Sequence, residues 1–256
     1  MTTIMPKNEV EFYDAFWTTD ESAKKPANME RVGLVVDHVL SALESCANPS
    51  VIDVGCGNGW ILQHLKQQLA KPARLFGIEP SGVGVQNTRR KLPEATVWQG
   101  VSSDIPAGHQ FNVVISSEVI EHAQDQNRFL QDLAGVLVDG GVAVLTTDNG
   151  QMHDAIMEQD NEGQPREDHL TPVQLQALCG KYLRIEKYTT FNIALYYNLH
   201  PRFKRWRQRL FRVPLLWRVT SIIDNYLMRR RWRGCYQLIV LRKRKENGTS
   251  LLRRKP

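Results

Sequence analysis

Val51-Ile-Asp-Val-Gly-Cys-Gly-Asn-Gly59 opens as a strand and closes as a glycine-rich turn. Val51 to Val54 is a short apolar run, continuous rather than alternating, as in a strand buried on both faces. Gly55, Gly57 and Gly59 then turn the backbone without a Cβ, which lets a ligand or another segment approach closely. A helical pattern, Trp60–Ala70, follows at once. Strand, glycine turn and helix in this order form the first unit of a parallel α/β sheet.

Working outward, the same alternation recurs. Arg74–Glu79, Ala95–Gly100, Phe111–Ser116 and Val142–Thr147 read as further strands, with Gly82–Leu92 and Gln124–Val138 as helices. Thr171–Gly180 reads as a helix with Pro172 in its first turn. Tyr182–Phe191 and Gly234–Leu241 read as two final strands. The expected fold is α/β: a doubly wound, mostly parallel seven-stranded sheet with helices on both faces. A helical insertion is expected before the last strand.

Two details of the glycine turn restrict its ligand. The third glycine comes one residue earlier than in the dinucleotide pattern G-x-G-x-x-G. Asp53 sits inside the strand, two residues before Gly55, where its carboxylate would repel a pyrophosphate and attract an α-amino group. Glu79 ends the next strand, a position from which a carboxylate can accept hydrogen bonds from both hydroxyls of a ribose.

Asp53-Val-Gly-Cys-Gly-Asn-Gly59 together with Gly77-Ile-Glu-Pro-Ser81 resembles the first two motifs of the class I S-adenosylmethionine-dependent methyltransferases. Phe111-Asn-Val-Val-Ile-Ser-Ser-Glu-Val-Ile-Glu-His122 and Leu137-Val-Asp-Gly-Gly-Val-Ala-Val-Leu145 resemble the later ones, in family order. The resemblance spans roughly residues 30 to 195 and implies S-adenosylmethionine as cofactor. It places the methionine moiety along Gly55, Cys56 and Gly57, near Gly59, with Asp53 beneath the amino group and Glu79 on the ribose. It places adenine near Val101, Ser102 and Ser103. Two positions depart from the family. Val101 stands where a carboxylate is common, with Asp104 as the substitute, and Asn112 stands where Asp is usual.

Glu118-Val-Ile-Glu-His122 follows the fourth strand, which delivers it to the sheet's carboxyl edge. One helical turn would present Glu118, Glu121 and His122 on one face, and His169 could join them from the later loop. Such a set suits a divalent metal, Mg²⁺ or Mn²⁺, that lowers the pKa of a bound hydroxyl. The run resembles both the ubiquinone-biosynthesis O-methyltransferases and the small-RNA 3′-terminal 2′-O-methyltransferases, in the latter of which Glu, Glu, His and a later His hold a metal. The same letters also serve metal-free methyltransferases, in which Glu118 and His122 shape the cofactor pocket or act as base; His122 and Glu121 are the expected catalytic residues. Both readings stay open here. The expected acceptor is a small or lipid-linked molecule (a quinone precursor, glycan or secondary metabolite). RNA methylation, or a catalytically inactive binding module, is the alternative.

Charge is divided unevenly. The net charge is +6, yet 200–256 holds 18 Lys and Arg against Asp224 and Glu246, a local +16. The other residues hold 15 bases against 25 acids, a net of −10. Phe203, Trp206, Leu210 and Phe211, then Leu215, Leu216, Val219, Ile222, Ile223, Tyr226 and Leu227, recur at helical spacing among arginines. Two amphipathic helices on an anionic membrane, a packed insertion, or RNA contacts are the three readings.

The expected organisation is a lid segment over 1–30, carrying Tyr13, Phe16 and Trp17, and a catalytic domain over 31–199 and 234–245. Residues 200–233 form the basic insertion and 246–256 a basic tail. No apolar run is long enough to span a bilayer and the start lacks a signal-peptide core, so the expected site is the cytoplasm, in part at the membrane's cytoplasmic face. Cys46, Cys56, Cys179 and Cys235 have no C-x-x-C spacing and are expected as reduced thiols.

Overall fold

The computed structural model describes residues 7–19, 26–152, 167–193 and 234–245. Two helices, α1 (Lys7–Thr19) and α2 (Pro26–Leu43), precede β1 (Ser50–Val54), α3 (Trp60–Gln68), β2 (Arg74–Glu79), α4 (Gly82–Lys91) and β3 (Thr96–Gln99). Then come β4 (Phe111–Ser117), α5 (Gln126–Val136), β5 (Leu137–Asp148), α6 (Pro172–Tyr182), β6 (Arg184–Ile193) and β7 (Gly234–Arg242). The seven strands lie in the order β3-β2-β1-β4-β5-β7-β6, with β7 antiparallel to both neighbours and the other pairs parallel. This is the mostly parallel, doubly wound sheet the motifs imply.

The two-residue period of each strand sorts its side chains between two cores. Val51, Val113, Ile115, Val144 and Val240 face α2 and α3, where Val35, Val36, Val39, Leu62 and Leu65 meet them. Ile52, Val54, Val114, Leu145 and Ile239 face α5 and α6, against Phe129, Leu130, Leu133, Leu175 and Leu178. Each such side chain, fully buried, contributes about 1.5–3 kcal/mol. All five residues of β1 are buried, so its continuous apolar reading holds.

Several boundaries differ from expectation. The helix expected to reach Val138 ends at Val136, and β5 begins at Leu137 rather than Val142. Gly140, at φ 75°, lets the strand pass through an irregular turn, and the register with β4 shifts between Phe111 and Val113. Tyr182 closes α6 instead of opening β6. Thr171 caps α6 and its partner Gln174 reciprocates, with Pro172 at the first turn as expected. The amphipathic helices expected over 200–233, and the tail 246–256, lie outside the described residues. No helix among the described residues is long and apolar enough to cross a membrane.

The chain runs outward from β1 through β2 to β3 and returns through β4 to β5. Between β1 and β4 the strand order reverses, and the carboxyl ends of both strands face one crevice there, the usual ligand position in such sheets.

Candidate active site

The glycine turn leaves β1 at this crevice. Gly55, Gly57 and Gly59 all have positive φ, at 79°, 51° and 79°, which an L side chain rarely adopts. The structure adds a second reason for them. A Cβ at Gly55 would stand 2.4 Å from Val119, one at Gly57 2.4 Å from the Trp17 ring, and one at Gly59 2.9 Å from Thr88. Close approach was expected of a ligand. Here it is made by the protein's own side chains as well.

Asp53 is 1% exposed, and its Oδ1 has no hydrogen-bond partner. Burial, then the neighbouring Glu79, raises its pKa to about 8. Glu79, 4% exposed, accepts Gly57 N–H at 2.9 Å and Ser81 N–H at 3.1 Å. Burial raises its pKa to about 7, opposed by those two backbone bonds. An orphaned buried carboxylate, a second one at a strand end and a cradle that Cβ atoms would fill together fit S-adenosylmethionine. Asp53 can take the ammonium and Glu79 the ribose hydroxyls.

These raised values set a pH dependence. A carboxyl raised from about 4 in the unfolded chain to 7–8 binds more protons when folded. Its stabilising contribution is complete below pH ~4 and is lost as pH rises through 7–8. We expect the cofactor-free protein to melt several degrees lower at pH 8.5 than at pH 6, and saturating cofactor to shrink that drop. A melting temperature independent of pH over this interval would contradict the raised pKa values of these two buried acids.

Beside the turn lies a cleft lined by Ile78, Pro80, Val101, Val119 and Phe129, with His122, Asp125, Arg128 and Asp132 among its polar residues. It is where adenine is expected. Ser102 donates to Asp132 Oδ2 at 2.9 Å. Asp104 does not enter this cleft; it accepts Val101 N–H at 2.9 Å and closes its own turn. The carboxylates that line the cleft are Glu9, Asp125 and Asp132, the last of them bonded to Ser102; the expected Asp104 is not among them. Asn112 is also far from adenine. It accepts Ser50 N–H at 2.9 Å and Ser50 Oγ–H at 3.0 Å at the opposite end of the sheet, so its departure from Asp is structural.

Helix α1 covers the crevice. Asp14 Oδ1 accepts Ser81 Oγ–H at 2.5 Å and Val83 N–H at 3.2 Å, fixing α1 to the start of α4. Asn87 donates to the Trp17 carbonyl at 3.1 Å. Tyr13 stands edge-on to His122, ring centres 6.1 Å apart. Burial, then Glu121 and Glu79, push its phenol well up.

The turn after β4 corrects one expectation. Glu118 is left-handed, at φ 57°, and Ile120–His122 forms a short 3₁₀ turn rather than an α-helical one. The three residues therefore do not share one helical face. Glu118 and Glu121 instead meet Asp148, at the end of β5, with one oxygen from each within 4.8 Å of the others. Neither histidine of the expected metal set belongs to that group. His122 faces Tyr13 and the cleft. His169 adjoins the group through Asp148, with Nδ1 3.8 Å from Asp148 Oδ2 and Nε2 3.3 Å from Glu167 Oε2.

Each acid has a fixed neighbour. Glu118 accepts Thr146 Oγ–H at 2.8 Å and lies 3.5 Å from Arg31 of α2. Glu121, 2% exposed, accepts Thr147 Oγ–H at 2.9 Å. Burial and then Glu118 raise the pKa of Asp148 to about 8, and the same causes raise that of Glu121. Asp148, Arg31, Asp14 and Asp132 carry no motif signal, because distant packing brings them to the site.

A seven-stranded sheet of this order, with a glycine turn and a covered crevice at its switch point, is the arrangement of the class I methyltransferase fold. Residues 21–181 match the family model described as a methyltransferase domain, and the chain belongs to that family. The matched region is a methyltransferase domain. Among curated relatives it is 28% identical over 114 residues to a ubiquinone biosynthesis O-methyltransferase of Methylobacterium sp. (strain 4-46), covering 43% of this chain and 45% of the relative. With the ubiquinone biosynthesis O-methyltransferase of Rhizobium rhizogenes it shares 27% over 169 residues, 59% of this chain and 67% of that one. The chain thus spans from about half to two thirds of the length of these two relatives. Among solved structures, the N-methyltransferase NodS of Bradyrhizobium japonicum WM9, in complex with S-adenosyl-L-homocysteine, superposes with TM-score 0.62 at 11% identity, over 93% of this chain and 99% of that one. The [4+2]-cyclase SpnF superposes with TM-score 0.65 at 15% identity, over 96% and 99%. These likenesses show the fold alone.

Proposed function

We propose that the chain methylates an oxygen of a small or lipid-linked acceptor. The observation that carries this reading is the Glu118–Glu121–Asp148 group beside His122, at the same sheet edge as the glycine turn. Bound S-adenosylmethionine supplies an activated methyl group on a sulfonium. The protein's task is then to align the acceptor and to take its proton. Glu79 holds the ribose and Asp53 the ammonium. Gly55 to Gly59 and Cys56 shape the methionine channel, while Ser102 borders the adenine. The acceptor hydroxyl lies between the carboxylate group and His122. His122 accepts its proton, and Glu121 orients the acceptor.

The divalent-cation expectation takes a revised ligand set. Glu118, Glu121 and Asp148 offer hard oxygen donors suited to Mg²⁺ or Mn²⁺, and such an ion would relieve the repulsion that raises two of their pKa values.

The lipid-linked reading draws support from topology. Ile193 pairs with Gly234, and Asn149 donates to the Gly234 carbonyl at 2.9 Å. The basic segment between them therefore joins the sheet beside Asp148. Its arginines and tryptophans suit an anionic membrane surface. In this organisation 1–30 serves as lid, 31–199 with 234–245 as catalytic domain, 200–233 as membrane contact and 246–256 as a basic tail.

The test is transfer of labelled methyl from S-adenosylmethionine into a lipid extract, a metabolite pool and small RNA, each with and without chelator. We expect label in a base-stable ether of the lipid or metabolite fraction, and loss on chelation that Mn²⁺ reverses. Label in RNA alone would overturn the acceptor class. Undiminished turnover after chelation would remove the metal while leaving the acceptor assignment standing.

A further inference from the structure

At the sheet edge opposite the crevice lies a groove of about 590 Å³. Its floor is the end of α2 and the irregular start of β5, from Val138 to Val142. Arg184, Arg242, Lys243, Arg244 and Lys245 line it, against one acid, Asp139. Six residue steps along β5 lead from Val142 to Asp148, so the groove lies about 20 Å from the carboxylate group.

Its cations are arranged, not merely crowded. Glu186 Oε1 holds Arg242 Nε and Arg184 Nη2, each at 2.6 Å. Arg242 Nη1 donates to the Gly140 carbonyl at 2.7 Å, and Lys243 Nζ to the Leu137 carbonyl at 2.7 Å. These bonds fix two cationic heads at the groove while leaving further N–H donors on each. Arg244 and Lys245 are exposed beside them. Glu186 and Asp139 offset part of the five positive charges and leave the hollow net cationic, so an anion there would be attracted. Guanidinium and ammonium donors in a concave site match a phosphate ester, which accepts several charge-assisted hydrogen bonds at once.

We infer that this groove is a phosphate-binding site for a phosphorylated ligand, separate from the methyl-transfer crevice. The ligand's size class is a single phosphorylated group or a short polyphosphate, since 590 Å³ is the volume of a small-molecule pocket. A free phosphorylated solute and a phospholipid headgroup share this chemistry.

Calorimetry of the full chain with inorganic pyrophosphate at low salt tests it, with Arg244→Glu/Lys245→Glu and the milder Arg244→Gln/Lys245→Gln for comparison. We expect a dissociation constant below about 1 mM that weakens about tenfold or more on charge reversal, as loss of two charge-assisted bonds requires. S-adenosylmethionine affinity and melting temperature should be unchanged in both variants. No binding at ten millimolar pyrophosphate, or equal binding in wild type and both variants, would overturn the site. Sedimentation with phosphatidylglycerol and with phosphatidylcholine vesicles identifies the source. Displacement from the anionic vesicles by pyrophosphate supports the groove with a headgroup as ligand. Pyrophosphate binding without such displacement supports the groove with a soluble ligand.

Discussion

Glu79→Ala is expected to weaken S-adenosylmethionine binding by about ten- to a hundredfold, the loss of a charged acceptor worth ~1.5–3 kcal/mol. The side chain is buried at the end of β2 and is already oriented by the backbone N–H groups of Gly57 and Ser81. Each of its oxygens keeps a lone pair for a ribose hydroxyl. Removing it also strands those two backbone donors, so the melting temperature should fall as well. Glu79→Gln is intermediate: its amide oxygen can accept from one of the two backbone N–H groups but not both, and it carries no charge. Its melting temperature should lie between those of Glu79→Ala and wild type, while the dissociation constant remains raised. A wild-type constant in both variants would mean that the ribose lies elsewhere.

Replacing His122 by Ala should lower kcat by about 10²- to 10⁴-fold, the usual contribution of a positioned proton acceptor. It should weaken S-adenosylmethionine binding much less than Glu79→Ala does, because the ribose and ammonium contacts come from Glu79 and Asp53, while His122 only lines the cleft expected for adenine. Added imidazole should restore part of the rate. A fall confined to the acceptor KM, with kcat intact and no response to imidazole, would make His122 a binding residue. Glu121→Gln offers the contrast. The amide can still accept from Thr147, so the fold around it should persist. The larger change is expected in acceptor KM, since Glu121 orients rather than deprotonates.

Local signals made the cofactor half of this site legible. Asp53, Gly55 and Glu79 each sit at a strand end, and a strand end can be read from a short apolar run followed by a turn. The seven strands were legible for the same reason. What failed depended on backbone irregularity or on long-range packing. Nothing in Glu118-Val-Ile-Glu-His122 signals that Glu118 turns left-handed, so helical spacing suggested a shared face that does not form. Asp148 joins Glu118 and Glu121 only because β5 lies beside β4 in the sheet. Asp14 reaches Ser81 across 67 residues of sequence, and no periodicity encodes that contact. Asp104 looked suitable for adenine from its place in the chain, but its side chain is committed to the Val101 turn.

The wider lesson concerns division of labour across the sheet. The carboxyl edge gathers acids: Asp53, Glu79, Glu118, Glu121 and Asp148. The opposite edge gathers bases, from Arg184 to Lys245. The first suits a sulfonium cofactor and an acceptor that must lose a proton. The second suits an anion. A parallel sheet fixes which ends of its strands face which way, so one chain can keep two electrostatically opposed sites about 20 Å apart.

The most direct measurement is calorimetric titration of the full chain with S-adenosylmethionine. One cofactor per chain, bound with a dissociation constant in the micromolar range and weakened in Glu79→Ala, is the predicted result. Absence of any binding at millimolar cofactor would contradict it.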